Sequence, residues 1–202
     1  MRSSSWRSRG FTLIEAMIAV TLLGLGGYQG YMLIQTSTQY SGREVSAVAL
    51  QQDAQLVLDR IAYAILSADR ENLEPEKDSP LHSSSLNYRT ALGIENGNMI
   101  WGPSVSIGLE AGTQAVWREN PHSKEERKLV WSKAVRELLQ GETLNGIDDN
   151  GNGFVDEKGM SFSIEGNKVT AMVCLERRTR DGRIVTETLS TTVCCRNLGG
   201  SR

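Results

Sequence analysis

From Phe11 to Ile34 the chain is almost continuously apolar, a window of 24 residues in which Glu15 is the one charged group. As a helix this window is about 36 Å long, against a hydrocarbon core of about 30 Å, so it can cross a membrane. From Ser46 to Asp69 the pattern changes. Ala47, Leu50, Ala54, Val57, Leu58, Ile61, Ile65 and Ala68 recur at steps of three and four, while Gln51, Gln52, Asp53, Gln55, Asp59 and Arg60 fill the other face. No proline interrupts residues 11–74, which predicts one long helix. Gly24, Gly26, Gly27 and Gly30 are its weak point, each costing about 1 kcal/mol relative to alanine, and predict local bending or melting there. Pro75 disfavours a helical residue before it and predicts a stop near Leu73.

Residues 74–90 read as a charged loop containing Pro and Ser. Short strand signals follow at Asn98–Trp101, Ser104–Leu109, Gln114–Arg118 and Leu129–Ser132. The pattern then sharpens into three antiparallel strands over "MSFSIEGNKVTAMVCLERRTRDGRIVTETLSTTVCC", with a two-residue turn at Gly166–Asn167 and a three-residue one at Arg180–Asp181–Gly182. Met160, Phe162 and Ile164 alternate with serines. Val169, Ala171, Val173 and Leu175 alternate with Lys168, Thr170, Met172 and Cys174. One face of such a sheet is buried, and the amphipathic helix is the element available to cover it. The expected fold is α+β, with a transmembrane segment at 11–34, an amphipathic helix at 35–73 and a β-rich globular domain at 74–202.

The composition, 39% hydrophobic and 23% charged, is that of a folded protein, and a net charge of −2 argues against a nucleic-acid partner. The charge is uneven. Arg2, Arg7 and Arg9 precede the apolar window with no acid among them; without them the 22 bases fall to 19 against 24 acids. The positive-inside rule puts the N-terminus in the cytoplasm and the bulk of the chain outside. No Ala-x-Ala cleavage pattern follows the window, so topology alone suggests an uncleaved anchor. Three cysteines, Cys174, Cys194 and Cys195, are an odd number for an oxidising compartment. The turn lengths place Cys174 opposite Thr188 and Cys194 opposite Lys168, about 20 Å apart along the ladder, where a bridge needs Cα atoms within about 7 Å. A Cys194–Cys195 bridge would be strained. Free, largely buried thiols are the expectation.

Two features carry candidate chemistry. Glu15 within a membrane-crossing window costs several kcal/mol unless it has a partner or snorkels to the nearby interface. "NGIDDNGNGFVDEKG", residues 145–159, puts Asp148, Asn150 and Asn152 at positions 1, 3 and 5 of a calcium loop, with Gly153 at the turn position 6. The Phe154 carbonyl would be position 7 and Asp156 position 9. Position 12 is Gly159, so the bidentate Glu of an EF-hand is missing, and Asp149 and Glu157 are the candidates to complete a Ca2+ shell. The alternative is a flexible polar turn, because Asn-Gly pairs are good turn formers. No catalytic arrangement stands out: His82 and His122 sit alone in polar stretches, and there is no phosphate loop, nucleophile elbow or HExxH. Trp101, Trp117 and Trp131 fall on expected strands and suit packing.

"RGFTLIEAMIAV" as a unit resembles the class III signal of type IV prepilins and pseudopilins: a short basic leader, a glycine, an aromatic residue, and Glu five residues past the glycine. The resemblance implies a leader at 1–10, peptidase cleavage after Gly10, N-methylation of Phe11, and Glu15 as an intersubunit residue pairing with a neighbour's Phe11 ammonium. "QQDAQLVLDRIAYAILSA", "KLVWSKAVRELLQG" and "TTVCCRN" more diffusely resemble J-type minor pseudopilins of type II secretion and W-type minor pilins. The implied function is a minor pilin or pseudopilin, a structural subunit near a filament tip and not an enzyme. The implied partners are other pilins through the N-terminal helix, the prepilin peptidase and an inner-membrane assembly platform, with the globular domain periplasmic. A non-polymerising, membrane-anchored, calcium-dependent binding module is the alternative.

Overall fold

Helix α1 spans Leu13–Ser67 in the computed structural model, which describes residues 12–74, 81–179 and 182–195. The chain divides into two units, Met1–Glu44 and Val45–Arg202. In the first, the helix runs through Gly24, Gly26, Gly27 and Gly30 without melting, one of the two outcomes expected there. Glycine weakens a helix entropically but keeps its N–H, so the hydrogen-bond ladder still closes.

In the second unit the predicted stripe is buried as read. Leu50, Ala54, Val57, Leu58, Ile61, Ile65 and Ala68 are buried, and Ala47 is half-buried. The helix ends at Ser67 rather than near Leu73. The Ser67 hydroxyl turns back onto the Ala64 carbonyl (2.8 Å), Ala68 forms an antiparallel bridge with Thr90, and the Asp69 N–H donates to the Arg89 carbonyl. A strand backbone therefore competes with the next helical turn, and a 3₁₀ turn, Arg70–Asn72, returns Leu73 to the core. Pro75 lies outside the described residues.

The strands form two four-stranded antiparallel sheets, where the sequence had suggested one sheet. The first joins β1 (Leu81–Ser83), β6 (Met160–Glu165), β7 (Lys168–Arg178) and β8 (Ile184–Cys194) in the order β1–β6–β7–β8. The second joins β2 (Ser85–Glu95), β3 (Asn98–Glu110), β4 (Gln114–Glu119) and β5 (Arg127–Ser132) in sequence order. Much of the expected 74–90 loop is thus strand, because Leu86 and Tyr88 are buried and alternate with Asn87 and Arg89. The two strands read around Gly102 and Pro103 are one strand, β3, with the irregularity absorbed as register shifts in β2 near Arg89–Gly93.

The Gly166–Asn167 turn closes β6 on β7, pairing Glu165 with Lys168, with Gly166 at φ +58°. Across β7 and β8, Cys174 faces Thr188 and Cys194 faces Lys168, the register expected from the turn lengths. Arg180 and Asp181 lie outside the described residues. Phe162, Ile164, Val169, Ala171 and Val173 of one sheet and Leu86, Tyr88, Val105, Ile107 and Ala115 of the other share a single core with the α1 stripe. Fully burying each large aliphatic residue there stabilises the fold by about 1.5–3 kcal/mol.

Candidate functional site

Two places in the fold hold predicted site residues. At the start of α1, Thr12 and Glu15 cap the helix. The Thr12 N–H and hydroxyl both donate to Glu15 Oε2 (3.1 and 2.9 Å), and the Glu15 N–H points back at the Thr12 hydroxyl oxygen (3.4 Å). This is a capping box, Thr-x-x-Glu, which satisfies N–H groups that have no partner in the helix itself. Both bonds to the carboxylate use Oε2, and among the described residues Oε1 accepts none. Gly10 and Phe11 lie outside the described residues. From Leu13 to Thr38, 26 residues of α1 are long and apolar enough to cross a membrane.

The second place is the loop 145–159, which precedes β6. Asp148 accepts the Gly151 and Asn152 N–H groups on Oδ1 (2.7 and 3.2 Å) and the Gly153 N–H on Oδ2 (2.7 Å). These bonds, Gly153's foremost, hold the Asp148 carboxyl below the usual aspartate range against an opposing desolvation. Asn150 Oδ1 accepts the Asn152 N–H and Asn152 Oδ1 accepts the Phe154 N–H. Both amide nitrogens turn to one acceptor: Asn152 Nδ2 lies 2.8 Å and Asn150 Nδ2 3.4 Å from Glu157 Oε2. Asp148, Asn150 and Asn152 thus gather about the turn at Gly153 (φ +92°).

Asp156 is directed elsewhere. At φ +52° its carboxylate accepts the N–H groups of Asn145 and Gly146 (2.9 and 3.1 Å) and closes the base of the loop. Asp149 likewise accepts from the backbone and hydroxyl of Thr143 and from the Asn145 amide. The Phe154 ring meets His82 edge-on at 5.3 Å, so His82, on β1, is half-buried against an aromatic ring rather than solvated in a loop. Among the described residues no three acidic, His or Cys side chains converge, so any ligand set here must mix carboxylates with amide and backbone oxygens. Gly159 has its own reason to be glycine: a Cβ there would sit 1.8 Å from the Arg136 carbonyl oxygen. Position 12 of the loop has no room for a side chain.

Residues 7–27 match the family model for the prokaryotic N-terminal methylation motif. The chain carries the leader of the type IV prepilin and pseudopilin family. No curated protein and no solved structure matches the chain. The prepilin motif spans the basic residues Arg7 and Arg9, Gly10, Phe11, the Thr12–Glu15 cap and the four-glycine region's first three members. A prepilin-type leader implies processing by a prepilin peptidase and assembly into a pilin-like structure in general terms, and the apolar helix fits a membrane-anchored prepilin.

Sequence reasoning read Glu15 in this prepilin-like chain as a membrane-embedded charge and an intersubunit partner, not as a helix cap. Its capping role was legible in the Thr-x-x-Glu spacing ahead of an apolar run. It missed Glu142 altogether, and that residue is buried, accepting the Asn150 and Asp156 N–H groups (3.1 and 3.2 Å). The cysteines are free, as expected, but Cys194 is exposed while Cys174 and Cys195 are buried. Burial raises the Cys195 thiol pKa, with the Arg70 charge opposing. Trp117 and Trp131 pack on the core, and the Arg60 guanidinium lies 6.0 Å from the Trp131 ring centre.

Proposed function

We propose that this protein is a minor pilin or pseudopilin: a structural subunit of a type IV pilus or type II secretion pseudopilus, not an enzyme, placed near the tip and active in priming assembly. The observation that carries the reading is the match of residues 7–27 to the methylation motif, with Glu15 five residues past Gly10. In this reading the chain starts as a single-pass inner-membrane protein with Arg2, Arg7 and Arg9 on the cytoplasmic side and the sheets in the periplasm. The prepilin peptidase cuts between Gly10 and Phe11, Phe11 is N-methylated, and the assembly platform delivers the subunit to its neighbours.

Cleavage creates an α-ammonium at Phe11. Glu15 of an incoming subunit then pairs with that ammonium on a neighbour, an attraction strengthened by the low dielectric and one that fixes axial register. Oε1 accepts no hydrogen bond among the described residues, which supports this role, because capping by Thr12 uses the other carboxylate oxygen. The presence of Glu15 supports a position just below the tip in this reading, since a terminal subunit has no predecessor to pair with. The loop-rich second unit supports a minor over a major subunit.

Intact-mass measurement of the protein purified from membranes tests the reading. A mature chain beginning at methylated Phe11 is expected, and a bulky side chain at Gly10 blocks its appearance. Filament-associated protein that retains Met1–Gly10 would overturn the assignment. A second reading, a membrane-anchored binding module that never polymerises, draws on the loop at 145–159. It predicts assembly-independent function with the leader left in place.

A further inference from the structure

We propose that the loop 145–159 is a calcium site whose innermost ligand is Glu157. Two carboxylates are buried at the base of this loop: Glu142, 2% exposed, and Glu157, fully buried. Among the described residues neither has a Lys, Arg or His partner within salt-bridge distance. Glu142 is answered by two backbone N–H groups, one on each oxygen. Glu157 is not answered in full. Its Oε2 takes the Asn150 and Asn152 amides, but Oε1 is buried with no hydrogen-bond partner.

A buried carboxylate oxygen without a partner is expensive, and a second buried carboxylate nearby makes it more so. The direction of the Glu157 head group is fixed by its contacts. The Asn150 and Asn152 side chains that reach its Oε2 are positions 3 and 5 of the Asp148 turn, so the Glu157 carboxylate meets the loop that carries the calcium pattern. Both amides present their positive NH₂ ends to Glu157, in the manner a cation would. Oxygen and nitrogen of an amide exchange by a half-turn, so the same two side chains can supply two neutral oxygen ligands. With Asp148, the Phe154 carbonyl and Glu157 they make a mixed oxygen set of the kind calcium accepts, water filling the remaining places.

Glu157 takes over the role of the acid missing at position 12, where the Arg136 carbonyl excludes any side chain at Gly159. Asp156 and Asp149, occupied by backbone and hydroxyl donors, shape the loop instead. Two carboxylate ligands are few for calcium, so the affinity belongs to the weak extracellular class, around 10⁻⁴ to 10⁻³ M. The inference stands apart from the filament reading, because it rests on Glu157 alone and not on the leader.

The test is equilibrium dialysis of radioactive calcium against the full-length chain in non-ionic detergent, with thermal melting in millimolar calcium, magnesium or chelator. One calcium per chain is expected, with melting raised by calcium and little changed by magnesium. Glu157→Gln should lose the calcium shift and about tenfold or more in affinity, yet melt no lower than the parent in chelator, because it removes an uncompensated buried charge. Asp148→Asn should weaken binding comparably, and Glu95→Gln, at the exposed end of β2, should change nothing. No saturable calcium binding by the parent chain overturns the proposal. So does a Glu157→Gln or Asp148→Asn chain that keeps the parent's calcium affinity.

Discussion

Thr12 donates both its N–H and its hydroxyl to the same oxygen of Glu15, so an acid that lies within the matched leader motif is also the helix's N-terminal cap. Two substitutions separate these jobs. Glu15→Gln keeps a capping-box side chain and removes the charge. Thr12→Val keeps the charge and removes the hydroxyl, at a cost of about 0.5–2 kcal/mol to the first turn. If Glu15 pairs across subunits, Glu15→Gln and Glu15→Val should both insert into the membrane normally and be depleted from filaments, while Thr12→Val is incorporated. Quantifying each variant in sheared filament and membrane fractions decides between them. Equal depletion of Thr12→Val and Glu15→Gln would assign Glu15 to the helix alone.

Gly159→Ala should be among the most damaging single changes in the second unit. Its Cβ would lie 1.8 Å from the Arg136 oxygen and 2.7 Å from the Arg136 carbonyl carbon, both backbone atoms that cannot rotate away. The Gly159 N–H also donates to the Glu137 carbonyl (3.1 Å), which ties the two segments together. Overpacking of this kind costs about 3 kcal/mol. Urea denaturation should show a lower midpoint for Gly159→Ala than for Gly146→Ala, where a Cβ meets nothing within 4 Å.

The pH response of the loop follows from Asp148. Its folded pKa lies below the ordinary value chiefly because of the N–H donors from Gly153, Gly151 and Asn152. A depressed carboxylate contributes stability above its unfolded pKa of about 3.9 and loses it as pH falls through the lower folded value. In calcium-free buffer, the melting difference between the parent chain and Asp148→Ala should therefore hold from neutrality to about pH 4 and shrink only in stronger acid. Melting curves across that range measure it; a difference already gone at pH 5 would contradict the donor arrangement.

The parts of the fold legible in the sequence are those fixed by local periodicity. The α1 stripe from Leu50 to Ala68 and the alternation from Met160 to Leu175 needed only the helical and strand repeats to read their buried faces. The pairing of Cys174 with Thr188 followed from turn length, since a short turn leaves few registers open. What escaped was decided by distant chain. The helix ends at Ser67 because the backbone at Arg89 and Thr90 supplies partners to Ala68 and Asp69, which no local signal announces. β2 was hidden because only Leu86 and Tyr88 of its residues are buried, while Leu92 and Ile94 beyond the register shifts are exposed. In the loop, spacing singled out Asp148, Asn150 and Asn152 and left Asp149 and Glu157 as equal candidates to complete the shell; Glu157 is fully buried and Asp149 exposed. Burial singled it out.

The Gly166–Asn167 turn is held from two sides: Arg70 Nε donates to the Gly166 carbonyl (2.6 Å) and the Cys195 N–H donates to the Asn167 carbonyl (2.9 Å). Segments nearly a hundred residues and nearly thirty residues away in the chain therefore meet on one two-residue link. Lengthening that link by a single residue would turn Lys168 and Thr170 inward and Val169 and Ala171 outward, and would break both clasps together. The Asn96–Gly97 link between β2 and β3 carries no such clasp among the described residues and lies exposed. Epitope tags and reporter insertions belong at that second hairpin, and natural length variation should collect there while the first keeps its two residues.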